Sequence, residues 1–249
     1  MARKTGALAI LGVVRELRRG SGDQRPIAVA GARELVPLLA RQLREGGDSS
    51  AVVEERVEGA AVVVWVGPPD EEALRAADRA GIPIVAVSNE DRAPYVLATD
   101  VVHVPPGQGF PVDEIAHAVA RKLGEDGTAL AARLPVLRRA VCDELIRSFA
   151  KKNAIVSAAI FVPGVDMPVL TLNQIRLVLR IALAYGQEID KQRAIELIGV
   201  VGAGFGLRTV ARELLDLVPV AGWAVKGAVA YAGTKALGEA AVRYFDARA

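Results

Sequence analysis

The sequence has few of the side chains on which metal, redox and disulfide chemistry depends. Cys142 is the only cysteine among 249 residues, which excludes an internal disulfide and a cysteine metal cluster. The two histidines, His103 and His117, have no spacing that is typical of a metal site. We therefore expect neither a metal nor a cofactor, and we interpret Cys142 as a structural thiol and both histidines as surface or hydrogen-bonded residues.

Aromatic side chains and net charge are also scarce. Only 4% of the residues are aromatic, although 52% are hydrophobic. Alanine, valine, leucine and glycine supply this hydrophobicity, which favours closely packed helices over aromatic-lined pockets. The net charge of +2 is too small to predict nucleic-acid binding. A single cysteine suits a reducing compartment, so we expect a cytoplasmic protein.

The sequence contains no uninterrupted apolar run of about 20 residues, the length of a membrane-spanning helix. Segments 154–175 and 217–234 come close, and each carries one charge, Asp166 and Lys226 respectively. They could belong to a buried helical bundle or insert shallowly at the inner membrane. Because an isolated charge is costly outside water, we predict that Asp166 and Lys226 form a pair. A helix cap or loop tip at Asp166 and a surface-directed Lys226 are the alternatives.

Residues 1–19 have the spacing of an amphipathic helix. The apolar stripe consists of Ala7, Ile10, Leu11, Val14 and Leu17. The arginines Arg15, Arg18 and Arg19 lie off this stripe. Such a helix could bind an anionic membrane surface, or its apolar stripe could pack on the protein's own core.

Residues 26–130 alternate apolar strands with amphipathic helices. The candidate strands are 27–32, 51–54, 60–67, 82–89 and 100–107. One candidate helix follows the first strand and extends to about Arg44. Two more cover 68–81 and 111–124, and each of these two begins at proline and acidic residues and ends at glycine. This pattern predicts a small α/β domain of the Rossmann or GTPase-like type, with a parallel sheet covered on both faces.

Residues 134–249 lose the strand pattern and indicate an all-α, helical-bundle domain. We predict a Thr171/Gln174 capping box at the start of one helix, Gly186 after its end, and Asp190 as the next N-cap. The last helix repeats alanine every four residues, at Ala224, Ala228, Ala232, Ala236 and Ala240. Such a stripe lets another backbone approach closely, and Ala/Gly-rich helices of this kind could support an oligomer.

The segment GVVGAGFGL at 199–207 resembles a dinucleotide-binding fingerprint but fails two of its requirements. Gly202 and Gly204 fit the first two glycine positions, whereas Leu207 occupies the third. The fingerprint must also follow a strand in a βαβ unit, and here it follows a helical pattern. We interpret the segment as a glycine-rich helix contact or break.

The turn after the first strand is where a nucleotide-binding domain would hold phosphate. It reads AGARELVP, which keeps Gly31 but lacks the lysine and the Ser/Thr of a P-loop. Asn89 and Asp91 are the residue types with which a GTPase recognises guanine, but their spacing differs from that of a GTPase. Together with Gly31 and Arg33 they form a degenerate nucleotide-like site. Because phosphoryl transfer depends on the missing cation and magnesium ligand, we predict no catalytic residues and no hydrolysis.

Residues 158–245 resemble the bacterial domain of unknown function family 697, which includes GTPase-associated and YcjF-like inner-membrane proteins. The most specific segments are PGVDMPVLTLNQIRLV, AYGQEID and VPVAGWAVKGAVAYAGTKALG. The resemblance implies a Ras-like GTPase domain in front of the helical domain, here degenerate at 31–35, and association with a membrane. It brings no catalytic residues to this chain.

We expect a non-catalytic regulatory or scaffold protein. A GTPase-like head would bind a protein or a small ligand, and the helical domain would bind a membrane surface or partner helices. The alternatives are a sensor that binds a nucleotide or small ligand weakly at the carboxyl edge of the sheet, and a slow, unconventional nucleotide hydrolase.

Overall fold

In the computed structural model of the chain, the described residues are 2–20, 22–105, 107–159, 167–204 and 223–248. The chain divides into two compact units, one of Met1–Ser21 with Leu145–Ala249 and one of Gly22–Glu144. The boundary between the two units, after Glu144, lies later in the chain than residue 134, where the sequence pattern changes. A single helix, Pro135–Ala159, spans this boundary.

Residues 22–144 are built around a five-stranded parallel sheet. Its strands are Ile27–Gly31 (β1), Val52–Glu54 (β2), Val62–Val66 (β3), Ile84–Ser88 (β4) and Val101–His103 (β5). Their order is β2-β1-β3-β4-β5, and each neighbouring pair is parallel. The central strands are buried, as their continuous apolar sequences predict for a sheet covered on both faces. The predicted α/β fold with a parallel sheet is confirmed for this half.

Helices of this unit follow the strands that the sequence pattern indicates. They are Val36–Leu43 (α2), Glu71–Arg79 (α3), Val112–Leu123 (α4) and Gly127–Arg133 (α5), with short 3-10 helices at Ser49–Ala51, Ala98–Asp100 and Gly124–Asp126. α3 begins after Asp70, whose Oδ1 accepts hydrogen bonds from the N–H groups of Glu72 (2.9 Å) and Ala73 (3.1 Å). Leu74 on α3 is buried in the same cluster as Ala28 of β1.

Arg133 at the end of α5 joins the last helix of the unit to the loop before β2. Its Nε lies 2.9 Å from Asp48 Oδ2, and its Nη1 donates to the carbonyl oxygen of Gln24 at 3.0 Å. Hydrogen bonds from Ser50, and then the Arg133 guanidinium, lower the pKa of Asp48 to about 2. The carboxylate therefore stays charged and bound to Arg133 across the physiological range.

The second unit is helical. Its helices are Ala2–Gly20 (α1), the part of Pro135–Ala159 (α6) after Glu144, Met167–Ala184 (α7), Lys191–Gly204 (α8) and Trp223–Asp246 (α9). The predicted helical character of this half is confirmed. Within the described ranges, no helix is both long and apolar enough to cross a bilayer.

The N-terminal helix packs on its own unit. α1 contacts α7 and α8, and its Val13, Val14 and Leu17 are buried, whereas Arg15 and Arg19 are exposed. This packing corresponds to the second of the two interpretations of residues 1–19, in which the apolar stripe covers the protein's own core.

Two predicted helix boundaries have different outcomes. Asp190 caps α8 as predicted, because its Oδ1 accepts a hydrogen bond from the backbone N–H of Arg193 at 2.7 Å. The Thr171/Gln174 capping box is wrong, because α7 begins at Met167 and both residues lie inside it. Pro168 fits the first turn of that helix, where its missing N–H would have no intrahelical partner anyway.

The close approach between α9 and α6 uses glycines and not the predicted alanine stripe. A Cβ on Gly238 would lie 2.5 Å from Ile146 Cγ1, and one on Gly227 would lie 3.2 Å from the carbonyl oxygen of Ala154. Ala228 and Ala232 are exposed instead. Residues four apart advance by about 40° beyond a full turn, so the alanine stripe winds off any one face of the helix.

Buried polar side chains join three helices next to this contact. Asn153 on α6 and Thr234 on α9 are both fully buried, and Asn153 Nδ2 donates to Thr234 Oγ1 at 2.9 Å. Asn173 Nδ2 on α7 donates to Asn153 Oδ1 at 2.8 Å. Because a buried amide is costly without partners, these bonds favour one register of α6, α7 and α9.

Gly238→Ala and Gly233→Ala form a matched pair on α9. We expect Gly238→Ala to lower the free energy of unfolding by about 1–3 kcal/mol, because Ile146 must move to admit the methyl group. At Gly233 a Cβ would meet no atom within 4 Å, and alanine should stabilise the helix by about 0.5–1 kcal/mol. Urea unfolding followed by far-ultraviolet circular dichroism measures both. Equal effects at the two positions would contradict the close contact.

Candidate functional site

The candidate site is the edge of the sheet at which the parallel strands end. Gly31, Val66, Ser88 and His103 are the last residues of β1, β3, β4 and β5. β2 and β3 lie on opposite sides of β1, so the chain reverses direction across the sheet at the β1–β3 boundary. Open parallel sheets bind ligands in the crevice at such a boundary.

Gly31 brings the backbone of β1 against that of β3. Its φ is +128°, a conformation that side-chain-bearing residues rarely adopt. A Cβ at this position would lie 2.2 Å from the carbonyl oxygen of Val66. That same oxygen accepts a hydrogen bond from the N–H of Ala32 at 2.8 Å. The glycine in the predicted nucleotide-like site therefore serves a contact within the protein.

Gly67 closes the crevice from the other side. Its φ is +99°, and a Cβ there would lie 2.8 Å from Ala32 Cβ. The N–H of Gly67 donates to the carbonyl oxygen of Val87 at 2.8 Å. The turns that follow β1 and β3 thus pack directly against each other.

The turn after β1 uses its backbone amides internally. Residues 32–35 lead straight into α2, and the carbonyl oxygen of Ala32 accepts hydrogen bonds from the N–H groups of Leu35 (2.9 Å) and Val36 (3.0 Å). A P-loop holds phosphate with backbone N–H groups that point at the ligand. Here three such groups, including that of Ala32, are already bonded to carbonyl oxygens. Arg33 and Glu34 are exposed on this turn.

Asn89 and Asp91 lie in the loop that follows β4. Strand β3 lies between β4 and β1, the strand that ends at Gly31. Both are exposed, and Asp91 Oδ1 lies 3.4 Å from Nδ1 of the exposed His103 at the end of β5. The structure therefore brings Asp91 and His103 together, a pairing that the sequence pattern does not reveal. Within the described residues, no hydrogen bond or ion pair joins Asn89 or Asp91 to Gly31 or Arg33.

The other chemically reactive residue types are engaged in structural contacts. His117 on α4 lies 3.6 Å from Asp143 on α6, measured from Nε2 to Oδ2. Cys142 is buried on α6. Among the described residues, no group of three histidine, cysteine or acidic side chains could hold a metal ion.

A tyrosine in the loop after Asp91 is a surface feature that sequence reasoning missed. Tyr95 has a φ of +61°, which is uncommon for a bulky residue. Its hydroxyl accepts a hydrogen bond from Arg75 Nε at 2.7 Å, and Arg75 Nη2 lies 2.6 Å from Glu71 Oε1. Tyr95 and the neighbouring Leu97 are 44% and 66% exposed. In a chain with few aromatics, the tyrosine after Pro94 was the available signal.

Two sequence predictions involve residues outside the described ranges. Asp166 is one of them, so the Asp166–Lys226 pair stays a prediction; Lys226 itself is half-buried on α9. In GVVGAGFGL, residues 199–204 belong to α8 and residues 205–207 lie outside the described ranges. A helix at 199–204 agrees with the rejection of a dinucleotide fingerprint, which requires a preceding strand.

Comparison with known proteins gives one match. The family model described as Domain of unknown function (DUF697) matches residues 122–249. No curated protein and no solved structure matches the chain. The matched residues begin at the end of α4 and include α5 to α9, whereas the sheet and α1 lie outside the match.

Gly31→Ala tests the closed crevice, with Gly81→Ala as its control. Both glycines have positive φ, but at Gly81 a Cβ would meet no atom within 4 Å. We expect Gly31→Ala to cost more than about 3 kcal/mol of stability or to prevent folding, and Gly81→Ala to cost about 1–2 kcal/mol. Urea unfolding measured by Trp65 fluorescence in a Trp223→Phe background reports on the sheet. A mild effect at Gly31 would mean that the crevice can open.

Proposed function

We propose that this chain, which belongs to the family described as Domain of unknown function (DUF697), is a non-catalytic regulatory or scaffold protein. In this proposal the α/β unit is a binding head, and the helical unit binds a membrane surface. The observation that carries the proposal is the turn after β1, where the backbone N–H groups of Ala32, Leu35 and Val36 are bonded to carbonyl oxygens of the protein.

The side chains of the turn support the same proposal. Phosphoryl transfer relies on a lysine at the phosphates and a hydroxyl that holds magnesium. Residues 32–35 read Ala-Arg-Glu-Leu and supply neither. Glu34 would repel a phosphate, and the turns after β1 and β3 lie so close together that a Cβ on Gly67 would be 2.8 Å from Ala32 Cβ. Chemistry on a nucleotide would need both the space and the charges.

We further propose that the head is a GTPase-like domain that has lost its nucleotide chemistry. A parallel sheet in the order β2-β1-β3-β4-β5 is compatible with such an origin. Gly31 at the end of β1, and Asn89 and Asp91 after β4, occur in the order in which a GTPase presents its phosphate and guanine loops. The exposed Tyr95 and Leu97 offer this head an apolar surface for a protein partner, and tyrosine is enriched at such contacts.

The membrane role rests on one end of the helical unit. Glycine contacts pair residue 227 with 154 and residue 238 with 146, so α9 and α6 are antiparallel. Asn173 of α7 bonds to Asn153 of α6, and Leu177 of α7 lies next to Gly238 of α9. The start of α7 therefore lies at the same end of the unit as the end of α6 and the start of α9. Ile155, Val169 and Val225 are exposed there by 69%, 43% and 37%.

Exposed lysines lie close to these apolar side chains. Lys151 and Lys152 are exposed on α6, within one turn of Ile155. Apolar side chains that insert at the interface and lysines that attract anionic lipids are the usual components of peripheral binding. We therefore propose a peripheral position at the cytoplasmic face of the inner membrane, mediated by this end and not by α1, whose Val13, Val14 and Leu17 are buried.

Calorimetry with GTP, GDP and ATP, with and without magnesium, tests the non-catalytic head. We expect no binding heat at millimolar nucleotide and no phosphate release above background, because the turn after β1 lacks the groups that hold phosphate. Turnover that disappears in Asn89→Ala would contradict the proposal. Binding without turnover would instead favour a ligand-binding sensor.

Co-sedimentation with phosphatidylglycerol vesicles tests the membrane surface. We expect the bound fraction to fall at least about threefold in Ile155→Glu, because a carboxylate would replace an inserting apolar side chain and be repelled by anionic lipid. Ile195→Glu is the matched control, since Ile195 is 49% exposed near the start of α8, which lies at the opposite end of the unit from Val169. Equal binding by both variants would refute this surface.

A further inference from the structure

The groove between α7 and α8 holds a helix that comes from outside the family domain. The family match begins at residue 122, yet α1 belongs to the same compact unit as α7 and α8. Val13, Val14 and Leu17 of α1 are 2%, 6% and 3% exposed. The matched domain therefore presents an apolar groove that an added amphipathic helix covers.

Two polar contacts set the position and direction of the helix in this groove. Arg176 Nη2 on α7 donates to Glu16 Oε2 at 3.1 Å. Two residues further along α1, Arg18 Nε donates to the carbonyl oxygen of Ile189, just before α8, at 3.0 Å. The groove therefore recognises an apolar edge that carries a carboxylate and a guanidinium two residues apart near the C-terminal end of α1.

The course of the chain does not force α1 into its own groove. α1 is connected to β1 by residues 21–26, whereas α7 and α8 are reached only after the α/β unit and α6. Gly20 precedes the connection and Gly22 lies within it, and a Cβ on Gly20 would meet no atom within 4 Å. A short, glycine-containing connection next to a separately docked helix is an arrangement in which identical chains can exchange that helix.

We infer that the α7–α8 groove is an interaction surface for α1 of a second copy of this chain, so that two chains exchange α1 reciprocally. Each exchanged helix makes the contacts that α1 makes in one chain: Val13, Val14 and Leu17 in the groove, Glu16 on Arg176, and Arg18 on the Ile189 carbonyl. No new side-chain chemistry is required. The inference is independent of the proposed function, since it involves neither the sheet edge nor the membrane surface.

A charge swap across the groove tests the exchange. Glu16→Arg and Arg176→Glu are made in separate full-length chains, so that each chain repels its own α1 in cis and in its homodimer. In a mixed dimer, both exchanged helices regain an opposite-charge contact. Native mass spectrometry distinguishes the three dimers by mass, and light scattering gives the total dimer fraction.

The preference for the mixed dimer is measured by the square of its concentration divided by the product of the two homodimer concentrations. We expect this ratio to exceed the value for random pairing at least about tenfold. The doubly substituted chain, which restores the contact in cis, should show no such preference when mixed with a second, isotope-labelled sample of itself. Gly20→Ala, which favours continuation of the helix, should raise the dimer fraction of the otherwise unchanged chain.

Two results would overturn the inference. One is a statistical ratio in the charge-swap mixture, which would mean that any dimers form through another surface. The other is a chain that stays monomeric at millimolar concentration both in the mixture and as Gly20→Ala. Circular dichroism and thermal unfolding of each variant confirm that the substituted chains are folded, since both positions lie at the rim of the groove.

Discussion

The contact between Gly31 and the carbonyl oxygen of Val66 decides what the carboxyl edge of the sheet can do. It joins the two central strands at the point where a parallel sheet would otherwise open toward a ligand. The Val66 oxygen also accepts the N–H of Ala32, and the turn then bonds to itself as it enters α2. The backbone N–H groups of Ala32, Leu35 and Val36 are thus used in bonds within the protein, at the place where a nucleotide-binding domain would present such groups to a phosphate.

Glycine has a corresponding role in the helical unit. Gly227 and Gly238 let α9 approach α6 so closely that any larger side chain would meet Ala154 or Ile146. The same layer contains the fully buried Asn153, bonded to Thr234 and Asn173. Apolar packing is compatible with several alignments of the helices. A buried amide is compatible only with the alignments in which its N–H and C=O groups have hydrogen-bond partners. Close packing and polar bonding together therefore select one arrangement.

Local sequence signals predicted most of the elements and misjudged some contacts. The five strands and the cap at Asp190 follow from apolar runs and from a side chain that bonds within three residues. The capping box at Thr171 was wrong because the same residues are tolerated inside a helix that begins earlier. Among the site residues, exposure of Asn89 and Asp91 at the sheet edge was predictable from strand ends, whereas the pairing of Asp91 with His103 joins two separate loops.

The sequence by itself determined the two kinds of secondary structure, their order, and the lack of a P-loop lysine and hydroxyl, because these depend on residue types and short spacings. Tertiary structure decided the role of each glycine, the exposed face of α9 and the burial of α1. Arg18 and Ile189, for example, are 171 positions apart in the chain. Contacts over such separations depend on how whole helices pack, and no local pattern specifies which of several apolar faces will meet.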